Sequence, residues 1–259
     1  MLVFIIPVKS KQVSKDWSLV CKLFERTLRS VCNQTSSEFK VIVVCHELPD
    51  INFTHPHVTY FQVNFDIPDE DYLSKEKDKM HKMLVGLNIV QDFAPSHIMF
   101  VDADDCISKK IAQFVIENYS FNGWFLNSGY EYREDIKSLI VRNKNFHIRT
   151  NTSHIIKNKL LEPYINMNIN DIKPENCILY HIDTAKILKN QGNPLVALPF
   201  KGAVYITDNG ENMWWSQDNI LSKSSKSKLN KMIISLAKKL YQFTITRPLT
   251  TSISEEFGI

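Results

Sequence analysis

Glycine and proline are scarce in this sequence, 7 and 10 among 259 residues, which excludes a low-complexity or fibrous chain. No stretch repeats internally, which sets aside solenoids and propellers. Cysteine is sparse as well. Cys21, Cys32, Cys45, Cys106 and Cys177 are odd in number and form no C-x-x-C pair, so they read as reduced structural thiols in a reducing compartment. The apolar opening MLVFIIPV has no basic leader and is too short for a signal peptide or a membrane span. It reads as a first buried strand, and the expected location is cytoplasmic. Basic and aromatic residues are not interleaved over the body of the chain, so a nucleic-acid partner is not expected.

What remains is an ordinary globular composition, 44% hydrophobic and 23% charged, long enough for one large α/β domain or two modest ones. The net charge of +3 is unevenly spread. From Ser222 onward six lysines and Arg247 face only Glu255 and Glu256, a local +5, which leaves the preceding residues at −2. The expected division is a main domain over 1–221 and a basic helical extension over 222–259.

Strand-like apolar runs occur at 2–8, 39–47 and 57–65, and helical spacing at 17–34 and 75–93. A fourth strand, HIMFV, is followed by a helix over 108–119 capped by Ser108. This alternation predicts a mostly parallel, nucleotide-binding type of sheet. Farther on, 123–134 and 145–157 read as strands or hairpin pieces, 178–192 as a helix ending at Gly192, and 194–207 as one or two strands.

The segment HIMFVDADDCIS, 97–108, concentrates chemistry. Four apolar residues of a buried strand run directly into Asp102, Asp104 and Asp105. Strand ends of open α/β sheets meet the ligand-binding crevice, and carboxylates so close together repel unless a cation joins them. A plain helix cap needs one carboxylate and not three, although capping the following helix is the simpler use of such residues.

These features resemble the GT-A glycosyltransferases, particularly the family 2 group, over about residues 2–207. The resemblance rests on a first strand ending in PV, a buried second strand, DADD after a hydrophobic strand, and a late helix followed by GNPLVALPFKGAVY. It implies an α/β GT-A fold, a nucleotide-sugar donor (UDP-linked in the first instance), and a glycan or lipid-linked acceptor. It also implies Mn²⁺ or Mg²⁺ held with the donor diphosphate by Asp102 and Asp104. Such an ion would neutralise the charge that grows on the leaving diphosphate.

On the donor side, Pro7, Val8 and Ser10 resemble the family's loop around the base, and Glu47 ends strand two where the family carries an acidic residue. Lys79 and Lys82 share one helix face and can reach phosphates, or can equally be a solvated surface. The family's acidic base lies in a Glu-Asp pair ahead of the late helix; this chain offers His181 and Asp183 instead. A histidine there suits proton abstraction or metal ligation, and also suits a plain helix start. His154 is a second candidate, and Trp124, Trp214 and Trp215 are sugar-stacking or core aromatics. Rival functions are a haloacid-dehalogenase-type phosphatase and a nucleotide-sugar-binding module without catalysis. In the tail, an apolar stripe (Leu229, Met232, Ile233, Leu236, Leu240) flanked by lysines suits either peripheral membrane contact through 222–243 or packing on the main domain.

Overall fold

The computed structural model describes residues 1–172, 177–212 and 246–259. The order of elements is β1 (Leu2–Pro7), α1 (Trp17–Cys32), β2 (Phe39–Cys45), β3 (Val58–Gln62), α2 (Tyr72–Ile89), β4 (His97–Phe100), β5 (Cys106–Ile107) and α3 (Ile111–Glu117). There follow β6 (Gly123–Phe125), β7 (Gly129–Arg133), β8 (Ser138–Arg142), β9 (His154–Lys157), α4 (Asn158–Leu161) and α5 (Thr184–Asn190). β10 (Val196–Ala197), β11 (Ala203–Thr207), β12 (Thr246–Arg247) and α6 (Thr251–Phe257) complete the chain.

A seven-stranded sheet runs in the order β10-β6-β9-β4-β1-β2-β3 and is parallel except for β9, which opposes both of its neighbours. Helices cover both faces, as a buried all-apolar strand requires. In β1 the alternation of side chains decides the partners. Leu2, Phe4 and Ile6 pack with Val20, Phe24 and Leu28 of α1, while Val3 and Ile5 pack with Met83, Leu84 and Leu87 of α2. Gly86 makes the second contact close: a Cβ there would lie 2.5 Å from Ile5 Cγ2. Caps fix where the helices begin, Asp16 accepting from the Leu19 N–H and Asp71 from the Ser74 N–H. This is the expected mixed α/β arrangement, a mostly parallel central sheet flanked by helices.

A second sheet, β12-β8-β7-β11-β5, stands beside the first. Its core is Cys106, Tyr132, Leu139, Val204, Ile206 and Phe257. The residues between β4 and β5 are the link: Val101 still bonds along β1, its N–H donating to the Ile5 carbonyl at 2.9 Å, and Cys106 already pairs with Val204. The aspartates of DADD therefore lie in the turn where the chain leaves one sheet for the other.

Two expectations need correction, and a third is refined. The helix after DADD starts at Ile111 and not Ser108, because β5 intervenes and the Ser108 hydroxyl, buried, donates to Glu256. The late helix spans only Thr184–Asn190; residues 178–183 form turns, with the Thr184 hydroxyl tied to the carbonyls of Ile178 and Tyr180. Residues 123–134 divide between the two sheets as β6 and β7. Of the basic extension, 246–259 is described: β12 pairs with β8, and Phe257 packs edge-on against Tyr130. The apolar stripe of the tail, Trp214, Trp215 and residues 222–243 lie outside the described residues.

Candidate active site

At the C-terminal end of β4 a cleft of about 350 Å³ opens. Pro7 and Val8 from the end of β1, with Val20 and Leu23 of α1, form one side; α2 contributes Glu76, Asp78, Lys79 and Lys82. Arg149, Thr150 and Tyr205 also line the cleft, and Asn151 and His181 lie against α2, near Lys79 and Met83. Six acidic and six basic side chains face this space, so charges there are largely matched.

Asp102 and Asp104 lie in the cleft and are half-buried. The Asp102 N–H donates to Thr152 Oγ1 at 2.8 Å, and its Oδ1 is 2.6 Å from the Lys79 ammonium. Burial opposes the charge on Lys79, but Asp102 and Glu76 outweigh it and raise the lysine's pKa. Asp104 Oδ2 accepts from two amides, Asn209 at 2.8 Å and Asn212 at 3.1 Å, while its Oδ1 has no hydrogen bond among the described residues. Burial, then the Asp102 charge, raises the Asp104 pKa. Asp105 is different in kind. It is fully buried, its two oxygens accept from the Ile206 N–H and the Thr150 hydroxyl, and burial followed by Asp104 and Asp102 pushes its pKa well up. Of the three clustered carboxylates, two face the cleft and the third ties β11 to the turn.

Among the described residues no three His, Cys, Asp or Glu side chains come together as a metal cage. Asp102 and Asp104, with the free Oδ1 of the latter, suit the other arrangement, in which one or two carboxylates share a hard cation with substrate phosphates.

Lys79 and Lys82 both reach the cleft, but with different freedom. Lys82 is fully buried and donates to Asp78 Oδ2 at 2.6 Å; burial, only partly offset by Asp78, lowers its pKa. Lys79 keeps a fifth of its side chain exposed beside Asp102. Ser10 and Glu47 do not line the cleft. The Ser10 hydroxyl donates to Glu47 Oε1 at 2.9 Å, and the Lys11 N–H donates to its other oxygen, so the two residues fasten the loop after β1 to the end of β2.

The structure separates His181 from Asp183. His181 faces the cleft, and burial, with Lys79 next, holds its pKa at about 4. Asp183 is turned to solvent, 54% exposed and 4.0 Å from Lys186. His154 is buried away from the cleft, its Nδ1 3.0 Å from the Ser153 hydroxyl. Trp124 is a core residue packed among His97, Phe114 and Phe121, which removes it as a sugar platform.

Several site residues had no motif to announce them. Glu211, buried, pairs with Lys9 and accepts the Asp16 N–H at 2.6 Å, which joins the 209–212 turn to the loop after β1. Glu131 of β7, also buried, holds both Arg142 and Arg149, the latter at 2.6 Å. Asn209 and Asn212 belong to an N-G-E-N sequence whose plain reading is a turn; only their two contacts with Asp104 reveal a second role.

No protein-family model matches the chain, and no curated protein does. Among solved structures, S. aureus TarS residues 1–349 is similar at 16% identity and a TM-score of 0.44, covering 79% of this chain and 60% of that one. The same TarS fragment in complex with UDP gives 16% identity, a TM-score of 0.42, and coverage of 80% and 60%. The Francisella tularensis 2-C-methyl-D-erythritol 4-phosphate cytidylyltransferase, IspD, gives 14% identity and a TM-score of 0.43 over 85% of this chain and 97% of that one. The chain thus spans about 60% of the length of the TarS fragment. The functional reading rests on the cleft.

Proposed function

We propose that this protein is a metal-dependent glycosyltransferase that moves a sugar from a nucleotide donor to an acceptor hydroxyl. One observation carries the reading: Asp102 and Asp104 project from the end of a buried parallel strand into a 350 Å³ cleft, with Asp104 Oδ1 left without a protein partner among the described residues. Open α/β sheets bind nucleotides in this crevice. The apolar side formed by Pro7, Val8, Val20 and Leu23 suits a base and ribose, and Lys79 stands beside Asp102 where a diphosphate would pass.

Asp102 and Asp104 would hold Mg²⁺ or Mn²⁺, which supplies charge neutralisation to the departing diphosphate. Lys79 meets the same charge from the α2 side. Asn209 and Asn212 keep Asp104 Oδ2 occupied and so orient the carboxylate. On the acceptor side the candidate base is His181, which lines the cleft with its ring uncharged; burial holds its pKa at about 4, so it accepts a hydroxyl proton only as a weak base. Asp183 is solvent-facing, which leaves the proton-accepting role to His181.

The test is a thermal-shift screen of UDP-, GDP-, CMP- and TDP-linked sugars with Mn²⁺, followed by measurement of nucleotide release with and without sugar acceptors. Stabilisation by one donor series and metal-dependent release support the reading. Stabilisation without any release identifies a binding module, and release of inorganic phosphate from simple phosphoesters without a nucleotide sugar identifies a phosphatase.

A further inference from the structure

Arg149 is the one arginine that lines the cleft among the described residues, and nothing in the proposed donor chemistry uses it. Its placement follows from the topology. The loop carrying it leads into β9, which lies on the far side of β4 from β1. Pro7 and Val8, at the end of β1, and the α1 residues lie on the near side. A nucleotide on the β1 side with its diphosphate at Asp102 and Asp104 leaves Arg149 on the acceptor side.

The guanidinium is held for presentation. Nη1 donates to Glu131 Oε1 at 2.6 Å, and 29% of the side chain stays exposed. Glu131 is itself buried and already carries Arg142 on its other oxygen. One carboxylate therefore serves two arginines, and this cluster holds an excess positive charge. Tyr205 stands opposite Glu131 in the β7–β11 register and brings no charge of its own, since burial first, then Asp105 and its neighbours, raises its phenol. A planar, fixed, charged fork facing the cleft recognises an oxyanion.

We infer that Arg149, oriented by Glu131, binds an anionic group on the acceptor, a phosphate or a carboxylate carried near the hydroxyl that receives the sugar. The inference rests on the nucleotide-sugar reading of the same cleft. It narrows the acceptor class from glycans and lipids in general to phosphate-bearing or acidic ones. Arg149 is a specificity group here, distinct from the donor groups across β4.

The experiment uses the full chain saturated with Mn²⁺ and the nucleoside diphosphate selected by the thermal screen. Glycerol 3-phosphate, glucuronate and neutral glycerol and glucose are titrated by NMR into wild type, Arg149→Gln and Arg149→Lys, with a thermal melt of each variant as the folding control. The expected result is at least about tenfold tighter binding of one anion than of its neutral counterpart. Arg149→Gln should abolish that preference, and Arg149→Lys should keep part of it, while nucleoside diphosphate affinity changes by less than about twofold. Preference for glycerol 3-phosphate assigns phosphate; preference for glucuronate assigns carboxylate. Equal binding of anions and neutral probes overturns the inference, and so does a tenfold loss of nucleoside diphosphate affinity in Arg149→Gln, which would make Arg149 a donor group. Failure of wild type to bind any nucleoside diphosphate overturns the nucleotide reading, and this inference with it.

Discussion

On the β1 side of Asp102 the cleft is walled by Pro7, Val8, Val20 and Leu23, apolar side chains that also belong to the core between β1 and α1 or border it. On the β9 side it is walled by polar groups, of which Arg149 is fixed by Glu131 and Thr150 by Asp105. The first wall comes with the fold, because burying those residues is what holds helix to sheet. The second wall depends on individual carboxylates whose loss strands their partners. A flat base tolerates the first kind of surface; discrimination among acceptors calls for the second.

The comparison is broken most forcefully at Glu131. Glu131→Ala leaves Arg142 and Arg149 facing one another without their counter-charge. Removing one partner of a buried ion pair typically costs about 3–5 kcal/mol, and the partial exposure of both arginines places this case near the lower end. Urea denaturation checks it; a loss below about 1 kcal/mol would show that the polar wall does not depend on this carboxylate.

The foot of the sheet offers the next contrast, a buried polar group with no site to serve. His97 is fully buried, its ring nitrogens 3.2 Å from the Ser96 hydroxyl and 3.1 Å from the Phe121 carbonyl. Burial pushes its pKa down to about 4 from an ordinary 6.5. The unfolded chain therefore takes up this proton first as pH falls. Stability is undiminished above about pH 6.5, declines between 6.5 and 4, and levels off below. Between pH 7.5 and 4.5 the histidine accounts for a loss of roughly 2–3 kcal/mol. Urea melts at both pH values should show His97→Gln losing less than wild type by about that amount; an identical loss in both proteins contradicts the assignment.

Leu23 tests the apolar wall. It is nearly buried and lines the cleft, so Leu23→Ala removes packing and base surface together. The expected cost is about 2 kcal/mol of stability, with weaker nucleoside diphosphate binding in the same variant. Arg149→Gln, by contrast, should leave nucleotide binding alone. The smallest effect belongs to Asn212, one of two amides on Asp104 Oδ2. Loss of one hydrogen bond to a charged group is worth about 1.5 kcal/mol, or about tenfold in metal-assisted nucleotide affinity. Calorimetry on Asn212→Ala should show that change, with a somewhat lower melting temperature, since the side chain also accepts the Asn209 N–H at 3.0 Å and donates to the Ile206 carbonyl at 2.9 Å.

The same contrast explains what the sequence could announce. Ile98 to Val101 followed by Asp102, Asp104 and Asp105 is legible because local hydrophobicity and local charge coincide with a strand and its end. β1, α1, β2 and α2 are legible for the same reason: each buries a continuous face against a neighbour close in the chain. Glu131 and Arg149 meet across 18 residues, and Asn209 reaches Asp104 across 105, so no local pattern could pair them. The second sheet escaped notice because β5 and β12 have two residues each and pair with distant strands. Helical spacing over 178–192 does not make a helix of its first turn: Ile178 and Leu179 are buried by a turn, and Asp183 faces water while His181 faces the cleft.

The central claim is that Asp102 and Asp104 bind a nucleotide diphosphate through a divalent cation. Isothermal titration calorimetry of the nucleoside diphosphate into wild type and Asp104→Asn, each with Mn²⁺ and with EDTA, tests it directly. Wild type should bind at least about tenfold more tightly with Mn²⁺ than with EDTA, and Asp104→Asn should lose that difference while melting at or above the wild-type temperature, since a carboxylate repulsion has been relieved. Equal affinity with Mn²⁺ and EDTA in wild type, or an undiminished Mn²⁺ dependence in Asp104→Asn, would contradict it.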